Sequence, residues 1–153
     1  MNPIRLIVRS LVTGTLTTVA TNAVAALLSK ASGKPATAAL NATSAVAFGE
    51  KAHRREHPSL KYTLVGLGLN YAASLAWGAL YERMRHGRPA TLGASLMRGT
   101  ATAATAYAID HYVMPRRLQS GFDKKLDPSH QLATYAVMAL SLPIRELVNR
   151  RLR

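Results

Sequence analysis

Charge avoids four stretches of this chain. Residues 6–28 carry only Arg9, 62–81 carry none, 90–114 carry only Arg98 and Asp110, and 131–144 carry none. Three of these reach or approach the ~20 residues with which a helix crosses ~30 Å of hydrocarbon, and the fourth does so when Arg145 and Glu146 lie at headgroup level. A soluble surface helix shows a charged face at a 3.6-residue period. LVTGTLTTVATNAVAALL has none, its non-apolar residues being Thr with one Gly and one Asn. Threonine hydroxyls can bond back to the preceding turn, which makes them tolerable in lipid and useful between helices.

Hydrophobic residues make up 48% of the 153-residue chain and aromatics only 6%, so the apolar mass is Ala, Leu and Val, the composition of a helical domain. The absence of cysteine excludes disulfide scaffolds, thiolate nucleophiles and Cys-ligated metal centres. A net charge of +13 favours anionic partners, either lipid headgroups or nucleic acid.

The expected fold is all-α: an integral membrane bundle of four transmembrane helices, about 4–29, 60–83, 90–114 and 129–148, within a single membrane domain covering 1–153. Ser32-Gly33 closes the first helix, Pro58-Ser59 opens the second, and Gly87 with Pro89 separates second from third. Asp127-Pro128 supplies a cap and a first-turn proline for the fourth. Residues 36–52 are too short an apolar run to span and are expected as a short interfacial or re-entrant helix between the first two. Small residues recur four apart at Ala72 and Ala76, Ser74 and Gly78, and Gly99 and Ala103, a spacing that lets helices approach closely. The N-terminal apolar run is longer than a secretory signal core, so it is expected to be retained.

The charged and polar residues inside the spans are Arg9, Asn22, Asn70, Glu82, Arg98, Asp110 and Glu146. An antiparallel hairpin about Gly87 would level Arg98 with Ala76 and Trp77, within reach of Glu82, and Asp110 with Leu64, within reach of Lys61 or Tyr62. Arg9 and Glu146 would share one membrane face. Ion pairs that pin helices together are the reading expected of these residues, ahead of a transport or proton-relay role.

Glu50, His53 and His57 would share a face if one helix ran through them, and HRREH matches an H-x-x-E-H zinc-peptidase pattern. Flanking Arg54 and Arg55 repel a cation and Pro58 stops the helix, so a solvated charge cluster is expected, with no metal and no cofactor. No nucleophile–base pair, glycine-rich phosphate loop or paired carboxylates stand out, and no catalytic residues are assigned.

AIDHYVMPRRLQSGFDKKLDPSHQLATYAVMALSL, with Asp110, Pro115, Arg116, Arg117, Leu118, Gly121, Phe122, Asp123 and Tyr135, resembles the C-terminal half of a group of small proteobacterial inner-membrane proteins of unknown activity. LNATSAVAFGEKA and LNYAASLAWGALYER resemble that group's short segment and second helix. Some members carry histidines there, which invites a metal or haem reading; Ala45, Asn70 and Tyr71 stand in the corresponding places here and argue against such a site. The resemblance spans roughly residues 36–142 and implies a multi-pass protein of the bacterial inner membrane, with no activity attached.

Arg83, Arg85, Arg88, Arg116, Arg117, Arg150, Arg151 and Arg153 fall in turns and tails, where they would meet anionic headgroups of the bilayer. Basic residues are nearly balanced between the two faces, and the short charged helix ends favour cytoplasmic termini. A non-enzymatic structural or accessory membrane component is therefore expected, alone, as a homo-oligomer or beside a membrane partner. The alternatives are a small transporter or channel subunit, or an ion relay, using Arg98 and Asp110, and a basic soluble helical protein that binds nucleic acid. The last is disfavoured because the basic residues do not line one exposed helix face and few aromatics stand among them.

Overall fold

The computed structural model describes residues 2–115, 118, 119, 121 and 125–151, with Arg150 and Arg151 described only in their backbone. The described residues form helices and turns and no strand. In chain order they are α1 (Pro3–Ala31), three short helices α2 (Ala38–Thr43), α3 (Ala45–Phe48) and α4 (Glu50–His53), then α5 (Leu60–Arg85) and α6 (Leu92–Ala108). A π-helical turn (Ile109–Val113) continues α6, and α7 (Pro128–Ser141) and α8 (Ile144–Arg151) complete the chain.

Local chemistry fixes the helix ends. Asn2 accepts the Ile4 amide at 2.9 Å ahead of Pro3, Ser59 accepts that of Tyr62 at 3.5 Å, and Thr91 accepts that of Ala94 at 3.3 Å. Gly33 and Gly87 follow α1 and α5 with φ of 72° and 71°, a conformation in which a Cβ is strained. Asp127 stands at the α7 cap with extended backbone, but its carboxylate accepts no amide there. The expected fourth helix, 129–148, is broken. Pro143 lacks an amide to continue the ladder, Leu142 and Pro143 form a turn, and α8 starts beyond them. The expected single helix 36–52 is three turns, separated at Ser44 and Gly49.

α1 packs against α5 and α7, and α6 against α7 and α5. α2, buried at all six positions, is wedged against α5 and α1. The closest approaches fall at small residues. A Cβ on Gly78 would lie 3.0 Å from the Gly14 amide nitrogen and 3.2 Å from the Ser10 carbonyl oxygen. Gly66 lies directly beneath the Leu40 carbonyl, and Gly99 beneath that of Ala139. Of the three small-residue pairs, Ser74 with Gly78 and Gly99 with Ala103 are buried, whereas Ala72 and Ala76 are exposed.

Buried and exposed positions invert the usual pattern. The buried residues of α1 are Ser10, Thr13, Gly14, Thr17, Thr18, Thr21, Ala25 and Ser29, while Ile4, Ile7, Val8, Leu11, Val12, Leu16, Val19 and Leu27 are exposed. Thr18 and Thr21 return their hydroxyls to the carbonyls of Gly14 (2.8 Å) and Thr17 (2.9 Å), which satisfies them without water. The apolar interior is small: Tyr81, Ala103, Ala106, Met138 and Leu142 form one cluster, with Trp77, Tyr135 and Ala139 packed around it. α1 and α5 are long and apolar enough to cross a membrane, whereas α6 and α7 have 17 and 14 residues.

Candidate functional site

The densest polar cluster lies where the C-terminal end of α5, the first turns of α6 and the start of α8 meet α1. It holds two carboxylates, Glu82 and Glu146, whose side chains are completely buried. Arg145 reaches Glu82 Oε1 through Nη2 at 2.6 Å and through Nε at 3.1 Å, and Thr13 donates to the same oxygen at 2.8 Å. Arg85 Nη1 lies 3.3 Å from Glu82 Oε2, and its Nε lies 3.4 Å from Glu146 Oε1. Arg98 Nη2 donates to Glu146 Oε1 at 3.1 Å, to the Pro89 carbonyl at 3.0 Å and to Ser95 Oγ at 3.3 Å. The Tyr81 hydroxyl donates to Glu146 Oε2 at 2.5 Å. Three guanidiniums thus surround two carboxylates, a charge-assisted network in which each acid has more than one donor.

Arg98 and Glu82 are therefore both in ion pairs, but not with one another. The register explains why. Thr102, expected level with Ala72, hydrogen-bonds the Met84 sulfur at 3.8 Å, so α6 is displaced toward the connecting loop. Arg98 consequently lies past Glu82 and meets Glu146 instead. Arg85, expected among the headgroup arginines, turns inward with 21% of its side chain exposed and bridges both acids. Arg83 and Arg88 are exposed. Arg116, Arg117 and Arg153 lie outside the described residues, as do the side chains of Arg150 and Arg151. Arg9 is partly buried and joins no ion pair among the described residues.

Asp110 meets neither Lys61 nor Tyr62. It sits in the π-helical turn and accepts the Tyr135 hydroxyl of α7 at 2.6 Å. The wider helix turn carries His111 as well, whose Nε2 is 3.3 Å from Gln131 Oε1 and whose ring stacks on Tyr107 at 4.1 Å between centroids. Insertions of this kind recur at functional sites in helices. Asp110 and Tyr135 line a partly open crevice of about 220 Å³, together with Trp77, Asn70, Leu69 and Met138. Asn70, on the crevice wall, donates to Asn22 Oδ1 and so ties α5 to α1. Tyr71, one position on, is 3.1 Å from the Thr15 hydroxyl of α1.

Glu50, His53 and His57 do not share a helix face, because α4 ends at His53 and His57 lies in the following bend. The loop is held instead by Asn41, which donates to the carbonyls of Arg55 (2.8 Å) and His57 (2.9 Å) and accepts from Thr63 (2.7 Å). No three His, Asp or Glu side chains among the described residues gather as metal ligands would. At this same end Lys125 Nζ pairs with Glu56 Oε1 at 2.5 Å, and that hydrogen bond holds the Glu56 carboxyl below its ordinary value.

The residues that sequence reasoning passed over are Tyr81, Arg145 and Tyr135 as charge partners. Nothing in local sequence marked Tyr81, and Tyr135 stood out only as a residue of the resemblance, with no partner attached. Arg145 adjoins Glu146 at a span end, where headgroup contact was the simpler expectation. No protein-family model, curated protein or solved structure matches this chain.

Proposed function

We propose that the chain is an integral protein of the bacterial inner membrane in which α1, α5, α6 with its π-helical turn, and α7 with α8 form a four-helix transmembrane bundle. Its role is that of a non-enzymatic structural or accessory component, held at the surface by Arg83 and Arg88 on anionic headgroups, with cytoplasmic termini. One observation carries the membrane reading: α1 buries Ser, Thr and Gly and turns Ile, Leu and Val outward. In water that arrangement would leave large side chains hydrated and enclose hydroxyls, whereas in lipid the outward residues meet hydrocarbon and the inward hydroxyls supply interhelical contacts. The structural role is supported by the mutual pairing of Glu82, Glu146, Arg85, Arg98 and Arg145, which leaves Arg98 engaged rather than poised to carry an ion.

Fractionation of the expressed chain, with carbonate and high-salt washes of the membrane pellet, tests the reading. Retention after both washes is the expected result. Release by salt alone would mean that the net charge of +13 holds the chain at the surface, and would favour nucleic acid as the partner.

A further inference from the structure

We propose that the crevice beside the π-helical turn binds a small hydrophobic amine, its ammonium against the Asp110 carboxylate and its apolar body against Trp77, Leu69 and Met138. The inference rests on the membrane reading only for the surroundings of the site, since the crevice and its carboxylate belong to the fold itself.

The two acids at the other cluster each face arginines, but Asp110 has no lysine or arginine within ion-pair distance among the described residues. Tyr135 holds one carboxylate oxygen, Oδ2, and Oδ1 accepts no hydrogen bond from a described residue. A carboxylate placed so, on the wall of a largely apolar crevice with only His111 beside it as a titratable base, suits a cation that can tolerate apolar neighbours. A hard metal ion does not meet that requirement, because calcium takes about six to eight oxygen ligands with several carboxylates among them, and Asp110 is the one carboxylate among the lining residues. An ammonium needs one charged partner, gains from an indole face, and can carry the hydrocarbon that fills the remaining space. An apolar cavity of about 150 Å³ accepts benzene, so about 220 Å³ suits a single ring bearing a short aminoalkyl arm. The π-helical turn is what places Asp110 on this wall, at the junction of α6 with the segment leading to α7.

Trp77 is the single tryptophan of the chain and lines the crevice, so its emission reads occupancy directly. The full-length chain in neutral maltoside micelles would be titrated with phenethylamine, and with 3-phenylpropionate as an anion of similar size. A saturable change in Trp77 emission with phenethylamine is expected, weakened at least tenfold by Asp110→Asn and absent with 3-phenylpropionate. Equal titration of the Asp110→Asn protein, equal binding of the anion, or no saturable response to the amine would overturn the proposal. If Asp110→Asn does not fold, Ala73→Leu keeps the carboxylate and fills the crevice. Loss of saturation in that variant supports the site, and unchanged binding overturns it. Carbonate extraction is scored separately, so a failed membrane reading and a failed amine site give different results.

Discussion

Tyr81 and Glu146 meet through a 2.5 Å hydrogen bond, phenol to carboxylate, although 65 residues separate them in the chain. Tyr81 is completely buried, and Glu146 also accepts Arg98 at 3.1 Å. The contact joins α5 to α8 at the edge of the apolar cluster to which Tyr81 and Leu142 belong, so the polar network and that cluster together define how this end closes.

Removing one acid should therefore destabilise far more than removing an acid–base pair. Glu146→Leu removes the one acid that Arg98 pairs with and the acceptor of the Tyr81 hydroxyl while both stay buried, and a loss of about 3–5 kcal/mol is expected. Arg98→Met combined with Glu146→Leu should recover part of that loss. A double-mutant cycle in denaturant unfolding measures the coupling; additive losses would mean that Arg98 and Glu146 are independent.

The crossing of α1 over α5 depends on the absence of a side chain at Gly78. Gly78→Val would force its branched carbons into the Gly14 and Ser10 backbone and separate the two helices, while Gly68→Ala, which faces open space inside α5, should be neutral or stabilise by up to about 1 kcal/mol. Thermal unfolding of the two purified variants distinguishes them, and equal melting temperatures would remove the close-approach argument.

Exposed apolar positions on α1 should behave as lipid-facing ones. Val19 is 65% exposed, so in water Val19→Lys would be harmless or solubilising. Within a bilayer a central lysine costs about 2.5–3.5 kcal/mol on insertion scales. Membrane-integrated yield of Val19→Lys should fall well below that of Arg5→Lys, a control that keeps its charge at the helix start; unchanged yield would count against the bundle.

The Glu56–Lys125 pair gives a pH dependence whose sign is fixed. Glu56 is held below its ordinary 4.5 by the Lys125 hydrogen bond, so folding favours its ionised form. Its contribution is complete above the unfolded value and disappears as pH falls through the lower folded value. Lys125 also anchors Lys34 through its carbonyl oxygen at 2.8 Å, so acid should loosen the contact between the two loops at this end. Melting curves between about pH 3 and pH 6 should show the parent chain losing its advantage over Glu56→Gln as pH drops. Parallel curves would show that the pair contributes nothing.

Two helix starts were readable because local signals set them: Ser59 and Asp127-Pro128 mark the observed starts of α5 and α7, whereas the caps at Asn2 and Thr91 went unread. The presence of Glu82, Arg98, Asp110 and Glu146 in internal contacts was also foreseeable, since charge inside an apolar stretch demands a partner. Which partner each takes was not. Arg98 missed Glu82 because register depends on how the connecting loop displaces α6, and helical rise carries no information about that. Asp110 found Tyr135 because a π-helical turn, which inserts one residue per turn and has no clear sequence signature, rotates it toward α7. The break at Pro143 was overlooked because an apolar run reads as continuous through a proline when length alone is counted.

The turn at Leu142–Pro143 has a consequence for biosynthesis. It aims α8 back at α5 and α6, so Arg145 and Glu146 reach Glu82 and Arg98 across 63 and 48 residues of chain. While the polypeptide emerges, α5 and α6 precede the countercharges they need. On the membrane reading proposed above, a nascent chain halted before α8 carries Arg98 into the bilayer without Glu146, and leaves Glu82 with Arg85 but without Arg145. On that reading, quality-control proteases that recognise uncompensated intramembrane charge would sense whether α8 has docked.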